Sequence, residues 1–216
     1  MKNEFQKRIL SSVILIPITL FLIIKGSFYF NLLLLICLVA TIYEWHLMSK
    51  GKYYNIIGFI LIIISFYFVY LLRNNVSNEE ILFLFVLLIC VSTDLGGYLF
   101  GKIFKGPKLT SISPNKTYSG MIGGFFLSVF FACIYLNHYN YYIIEKAEII
   151  SFYDFIFVII LSFVSQVGDL IISYFKRKSK IKNTGKIIPG HGGILDRIDG
   201  MIFAFPSAYI ILKVIN

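Results

Sequence analysis

Three aspartates in the second half of the chain have the residue type and spacing of cation ligands. Asp169 lies within a long apolar run, and Asp196 and Asp199 stand just before the last apolar run. Side chains at i and i+3 share one face of a helix, and hard cations prefer carboxylate oxygens. We therefore expect Asp196 and Asp199 to bind a cation together, and Asp169 to need a metal ion or a basic partner. Asp94 is a weaker candidate in another apolar run, where an ionisable group is costly unless it faces protein or water.

A loop rich in glycine and basic residues lies between Asp169 and the other two aspartates. Lys and Arg supply charge and donors for phosphate oxygens, and glycines let backbone N–H groups converge on an anion. The loop therefore predicts a polyphosphate site, and a solvated loop whose glycines only make turns is the alternative. His191, between glycines, is expected to contact phosphate, and whether it also moves protons is left open. The residues assigned to phosphate binding or catalysis are Ser173, Lys176, Arg177, Lys182, Gly190, His191, Gly192, Gly193 and Arg197.

A second basic segment, residues 101–119, carries four lysines and no acidic residue. Small hydroxyl groups beside Lys116 could bind phosphate oxygens, so Ser113, Lys116 and Thr117 are candidate substrate ligands. Ser113 and Gly120 could equally be turn and cap residues. The sequence leaves both interpretations open.

The composition is that of a membrane protein. Of the 216 residues, 58% are hydrophobic and 14% are charged, whereas soluble domains are about 45–50% apolar and about 25% charged. Cys37, Cys90 and Cys133 lie in apolar runs without metal-ligand spacing. We expect these cysteines to be buried hydrophobic residues.

Apolar runs between charged or polar breaks predict about seven membrane spans, because a bilayer core of about 30 Å takes about 20 helical residues. The N-terminal run has no small-residue cleavage site after it, so we interpret it as a retained span, kinked at Pro17. The predicted fold is an all-α, polytopic transmembrane helix bundle. The spans are Ile9–Ile24, Phe28–Tyr43, Ile56–Leu72, Ile81–Leu99, Gly120–Leu136, Phe152–Ile172 and Met201–Ile215.

The distribution of basic residues predicts the orientation. With a cytoplasmic N-terminus, all but four of the 20 Lys and Arg residues fall on the cytoplasmic side, as the positive-inside rule requires. The net charge of +9 is therefore one-sided, and we expect membrane lipids and no nucleic acid as its partners. The expected location is a bacterial inner (plasma) membrane. The four exceptions are Lys25, Arg73, Lys146 and Lys213.

We divide the chain into two regions on these grounds. Residues 1–80 are predicted to be N-terminal transmembrane helices. Residues 81–216 are predicted to be a catalytic transmembrane region, with basic cytoplasmic loops at 101–119 and 173–200.

Polar residues recur on one face of the sixth predicted span. A polar stripe on an otherwise apolar helix must face the bundle interior. For Ser162 a hydrogen bond between helices is an equal alternative to a functional role. The stripe consists of Ser162, Ser165, Gln166, Asp169 and Ser173.

At these residues the chain resembles the phosphatidate cytidylyltransferase (CDP-diacylglycerol synthase) family. The family's signature reads Ser-x-x-Lys-Arg, four residues, Lys-Asp, then Pro-Gly-His-Gly-Gly and Asp-Arg-x-Asp. This chain matches it from Ser173 to Asp199, with Asn183 where the family usually has Asp. Ser119 stands where the family usually has Glu, and the chain is shorter than typical members. Further matches are Glu44-Trp45, Asp94, Gly101, residues 113–117 and residues 166–169.

The resemblance implies a Mg²⁺-dependent nucleotidyltransferase of phospholipid biosynthesis. It would transfer CMP from CTP to phosphatidic acid, giving CDP-diacylglycerol and pyrophosphate. Asp169, Asp196 and Asp199 would hold Mg²⁺, with a second cation and a homodimer left open. The alternatives are a related CTP-dependent enzyme acting on another lipid (phosphate) and an inactive lipid-binding relative, which Asn183 and Ser119 motivate. A transporter is disfavoured because the polar residues gather at one end of the spans.

Overall fold

The computed structural model describes residues 2–74, 79–110, 112–143, 152–188, 190 and 192–215. Within these ranges the chain forms helices and two isolated β-bridges but no strand, so the all-α prediction is confirmed. The helices are α1 (Lys2–Lys25), α2 (Ser27–Ser49), α3 (Asn55–Asn74), α4 (Glu79–Phe104), α5 (Tyr118–Ile143), α6 (Phe152–Lys178), α7 (Leu195–Ile198) and α8 (Met201–Ile215).

Five of the described helices, α2 to α6, are long and apolar enough to cross a membrane. Two shorter apolar helices, Leu10–Lys25 and Met201–Val214, correspond to the first and last predicted spans. Each of the seven predicted spans therefore lies within a helix. The number of helices that cross the bilayer and the side of the N-terminus stay predictions.

The first of two compact units comprises residues 1–80 and 175–199. It contains α1 to α3, the C-terminal end of α6, the glycine-rich loop and α7. Helix α2 packs against α1, α3 and α7, and Phe30, Ile62 and Leu72 are fully buried in this unit. Helix α1 continues through Pro17. The central position of α2 brings it into contact with the segment that carries Asp196.

The second unit comprises residues 81–174 and 200–216, and so contains α4, α5, most of α6 and α8. Helices α4 and α5 approach backbone to backbone, since a Cβ atom at Gly96 would lie only 2.2 Å from the carbonyl oxygen of Gly123. Small residues permit such close helix packing in membranes. This contact holds α5, and the basic segment before it, against α4. The predicted catalytic region, residues 81–216, stays a prediction.

Candidate active site

The chain leaves α6 through a tight turn that keeps its basic residues in fixed places. The N–H of Ile181 donates to the carbonyl of Lys176 at 3.0 Å, and Lys180 adopts a left-handed φ of 58°. The Arg177 side chain is exposed and donates through Nη1 to the carbonyl of Ile181 at 3.0 Å. The turn thereby closes the end of α6 with Lys176 on its buried side.

A charged centre in the first unit consists of one lysine between two aspartates. Lys176 Nζ donates to Asp196 Oδ1 at 3.1 Å and to Asp199 Oδ2 at 3.2 Å. Lys176 and Asp199 are 7% and 8% exposed, so the charges are largely desolvated. Such a pair is stable only when its geometry is good and further hydrogen bonds satisfy it. The expectation that Asp196 and Asp199 share a face is met, with an ammonium group between them.

Asp196 is held in place from its other side by backbone donors. Its Oδ2 accepts the N–H groups of Thr184 at 2.9 Å and Gly193 at 3.0 Å. Asp196 therefore ties three separate segments together, namely the end of α6, the start of the loop and the start of α7.

The glycine-rich loop is a hairpin closed by paired hydrogen bonds between Ile188 and Gly192, at 2.9 and 3.2 Å. Gly192 has a φ of 92°, and a Cβ atom there would lie 2.9 Å from Asp196 Oδ2. Only glycine adopts this conformation readily, so the turn and the placement of Asp196 depend on the same residue.

Glu44, in α2, is a site residue that the sequence argument did not single out for a role. Its carboxylate is 1% exposed. It accepts hydrogen bonds from Thr184 Oγ1 at 2.9 Å, Ile194 N at 3.0 Å and Leu195 N at 2.9 Å. The available signal is an acidic residue next to an apolar run, but the predicted span ends at Tyr43, whereas α2 continues to Ser49.

Four consecutive backbone donors at the end of the loop are thus used by the protein's own acceptors. Gly192 N–H donates to Ile188, Gly193 N–H to Asp196, and the next two N–H groups to Glu44. The expected convergence of N–H groups on an anion is present, and the anions are side-chain carboxylates. Phosphate binding by Gly190, Gly192 and Gly193 stays a prediction.

Three of the predicted phosphate-binding cations, Arg177, Lys182 and Arg197, are exposed in the first unit. They are accessible to a ligand from water. Pro189 and His191 lie outside the described residues, and the role of His191 stays a prediction.

In the second unit Asp169 has the basic partner that its position requires. Lys116 Nζ lies 2.5 Å from Asp169 Oδ2, and both side chains are 25% exposed. Ser173 Oγ donates to Asp169 Oδ1 at 3.2 Å. The basic segment at 101–119 and helix α6 therefore meet at these residues. Whether Asp169 also shares a metal ion with Asp196 and Asp199 stays a prediction.

The segment before α5 contains a turn and a helix cap, which the sequence allowed as an alternative to phosphate binding. Lys116 N–H donates to Ser113 O at 3.0 Å, closing a turn. Thr117, directly before α5, accepts the Gly120 N–H at 3.1 Å, which is the geometry of an N-cap. The Ser119 hydroxyl donates to the carbonyl of Lys105. These bonds fix Lys116 at the foot of α5, and phosphate binding by Ser113 and Thr117 stays a prediction.

The polar stripe of α6 has partners on neighbouring helices. Thr93 Oγ1 donates to Ser162 Oγ at 2.9 Å, and Gln166 Nε2 donates to the carbonyl of Met121 at 3.4 Å. Ser162 therefore makes the interhelical hydrogen bond that was its alternative interpretation. Asp94 is exposed on α4 and remains a weaker metal candidate.

Comparison with known proteins decides the family. Residues 50–215 match the cytidylyltransferase family. A phosphatidate cytidylyltransferase of Rickettsia typhi is 36% identical over 212 residues, which cover 95% of this chain and 90% of that protein. The chain belongs to the cytidylyltransferase family. A Staphylococcus aureus phosphatidate cytidylyltransferase is 41% identical over 152 residues, covering 69% of this chain and 54% of that protein.

The family resemblance drawn from the sequence motifs is therefore confirmed. The protein is an integral membrane protein with five long apolar helices among its described residues. The two residues that differ from the family pattern, Asn183 and Ser119, both lie among the described residues. Asn183 is exposed beside Gly192, and Ser119 closes the segment before α5.

The chemistry of the carboxylates fits a hard cation. Asp196 and Asp199 offer oxygen ligands of the kind that Mg²⁺ prefers, and the ammonium group of Lys176 already lies between them. Among the described residues, no group of three or more His, Cys, Asp or Glu side chains is arranged to hold a metal ion. A Mg²⁺ ion on Asp196 and Asp199 would therefore have to displace the lysine and gain ligands from substrate phosphates or water.

Proposed function

We propose that this chain transfers CMP from CTP to phosphatidate, giving CDP-diacylglycerol and pyrophosphate. The observation that carries the proposal is the buried centre of Lys176, Asp196 and Asp199 in a chain whose relatives, matched over nearly its whole length, are phosphatidate cytidylyltransferases. The membrane-spanning fold suits a reaction that joins a soluble nucleotide to a lipid.

The reaction is a nucleotidyl transfer in which a phosphatidate phosphate oxygen attacks the α-phosphorus of CTP. A new P–O bond forms, while the bond from the α-phosphorus to the oxygen bridging to the β-phosphate breaks and pyrophosphate leaves. A phosphate monoester has a second pKa of about 6, so the attacking oxygen is already ionised near neutrality and needs no general base. The barrier is the approach of two anions, and catalysis consists of holding them in line and neutralising their charge.

The exposed cations of the first unit are suited to that neutralisation. Arg177, Lys182 and Arg197 offer charged donors to the nucleotide phosphates, and a guanidinium group can bind two phosphate oxygens at once. In the second unit Lys116 offers a further ammonium group, oriented by Asp169. Each of these cations lowers the repulsion between the phosphates that it contacts.

Dependence on Mg²⁺ is part of the proposal. Asp196 and Asp199 are the ligands we assign to it here. Asp169, the third ligand expected from the sequence, pairs instead with Lys116 in the second unit. When bound, Mg²⁺ would stabilise charge on the α-phosphate and on the departing pyrophosphate. Lys176, which lies between the two aspartates in this structure, would then be available to contact a phosphate oxygen.

The site is proposed to face the cytoplasm at the inner membrane, where CTP is dissolved and phosphatidate reaches the protein laterally. This placement rests on the distribution of Lys and Arg. It keeps the charged reactants in water while the acyl chains stay in lipid.

The proposal is tested with purified protein in detergent, supplied with CTP, phosphatidate and Mg²⁺, by following CDP-diacylglycerol. We expect product with CTP and a much lower rate with ATP, and loss of product when Mg²⁺ is chelated. Polyprenyl phosphate, offered in competition, should not inhibit. A polyprenyl product, or equal use of ATP, would overturn the assignment of the substrate.

A further inference from the structure

Glu44 links α2 to the segment that carries Asp196. Its carboxylate accepts the hydroxyl of Thr184 and the N–H groups of Ile194 and Leu195 within 3.0 Å. A carboxylate that is 1% exposed is costly unless its oxygens are satisfied. Charge-assisted hydrogen bonds are stronger than neutral ones, so these three donors hold the start of α7 on α2.

The contacts of Glu44 continue to Asp196 through one residue. Thr184 donates its hydroxyl to Glu44 Oε2 and its backbone N–H to Asp196 Oδ2, at 2.9 Å in each case. Leu195, whose N–H also binds Glu44, directly precedes Asp196. Glu44 therefore fixes Asp196 both through its chain neighbour and through a shared hydrogen-bonding residue.

Trp45, the next residue of α2, packs against the end of α6. Its ring lies 5.4 Å from that of Phe175 in an edge-to-face arrangement, and Phe175 directly precedes Lys176. Trp45 Nε1 donates to the carbonyl of Asn55 at 3.0 Å, which keeps the indole in place. Two adjacent residues of α2 thus hold the two segments from which Lys176 and Asp196 project.

We propose that Glu44 is a positioning residue for nucleotidyl transfer, holding the Asp196 carboxylate in place beside Lys176 and Asp199 while the phosphates react. The inference rests on the proposed function. Glu44 itself is buried beneath the loop, so it is placed to act through Asp196 and not on a substrate directly. Misplacement of a catalytic group by about 1 Å can cost roughly 100-fold in rate, so the loss of Glu44 should appear in kcat rather than in substrate binding.

The test compares Glu44→Gln and Thr184→Val with Ile62→Ala, a substitution at a fully buried residue of the same unit whose apolar side chain makes none of these hydrogen bonds. In Glu44→Gln the amide nitrogen replaces one accepting oxygen and meets a backbone N–H. We expect a fall in kcat of about tenfold or more, with KM for CTP and phosphatidate changed by less than about threefold. Thr184→Val should show a smaller fall of the same kind, and Thr184→Ser should restore the rate.

Hydrogen exchange of the peptide covering residues 182–199 supplies a readout that does not depend on activity. Exchange at Gly193, Ile194 and Leu195 should accelerate in Glu44→Gln and stay unchanged in Ile62→Ala. If Glu44→Gln loses no more kcat than an Ile62→Ala protein of equal melting temperature, or if exchange is unchanged, the positioning role is overturned. If the unaltered protein makes no CDP-diacylglycerol, the proposed function fails instead, and the exchange result still decides whether Glu44 holds the loop.

Discussion

At the scale of single residues, Asp196 is the side chain on which the site depends most. One oxygen accepts the Lys176 ammonium group and the other accepts two backbone N–H groups. Each contact comes from a different segment, so a change at this carboxylate disturbs both the charge balance and the fold of the loop.

The substitution Asp196→Asn tests that dependence. Either orientation of the new amide places N–H donors against Lys176 or against the two backbone donors. We expect the rate of CDP-diacylglycerol formation to fall roughly 100-fold or more, and the stability by about 1–3 kcal/mol because a buried donor loses its acceptor. Initial rates and thermal unfolding measure both. The matched control is Asp154→Asn in the first turn of α6, which should leave the rate unchanged, and an unimpaired Asp196→Asn enzyme would contradict the assignment.

The residue types and spacing predicted much of this chemistry, and the missing part has a physical cause. The i,i+3 spacing was enough to pair Asp196 with Asp199. It could not identify Lys176 as the cation between them, since their hydrogen bonds span 20 and 23 residues of sequence. Glu44 lies 140 to 151 residues from its partners, and only the packing of α2 against α7 brings them together.

At the scale of elements, the segment before α5 shows how a capping residue can hold a charged one. Thr117 caps α5, and its neighbour Lys116 reaches Asp169. The sequence indicated turn, cap and phosphate roles for this segment, and a substitution series can separate them.

We predict that Thr117→Val lowers the stability by about 1 kcal/mol, because an N-cap acceptor is lost. Thr117→Ser should retain both stability and activity. Thr117→Asp keeps the cap but adds a negative charge, so it should retain stability and raise KM for CTP several-fold. Unfolding and steady-state kinetics distinguish the variants. An unchanged KM in Thr117→Asp would show that Thr117 caps α5 and does not bind phosphate.

The contact between α4 and α5 gives a second prediction at this scale. An added Cβ at Gly96 would meet the backbone of Gly123 at 2.2 Å, whereas at Gly97 it would meet only the carbonyl of Gly120 at 3.9 Å. Gly96→Ala should therefore destabilise the protein by about 1–3 kcal/mol, and Gly97→Ala, the matched control, should be nearly neutral. Equal melting temperatures for the two variants would show that the helices are not in close contact at Gly96.

At the scale of the whole molecule, apolar run length predicted the helices and their order, because a span must satisfy its own backbone in lipid. Helix ends were predicted less well, since charged residues such as Glu44 can remain helical beyond the apolar run when the protein buries them. Orientation depends on where Lys and Arg lie along the chain, and it can be tested directly.

Cysteine labelling tests the orientation. With Cys37, Cys90 and Cys133 replaced by Ala, a single Lys182→Cys residue should react with a membrane-impermeant maleimide only from the cytoplasmic side. Lys146→Cys, in a segment predicted to face the opposite side, should react only from outside. Reversed labelling in sealed vesicles would place the basic loops away from CTP and refute the cytoplasmic site.

The measurement that tests the central claim most directly follows the fate of labelled CTP phosphates in the presence of phosphatidate and Mg²⁺. The account predicts that label in the α-phosphate enters the lipid product, that label in the γ-phosphate leaves as pyrophosphate, and that neither occurs with Asp196→Asn. Transfer of the γ-phosphate to lipid, or full α-phosphate transfer by that variant, would contradict it.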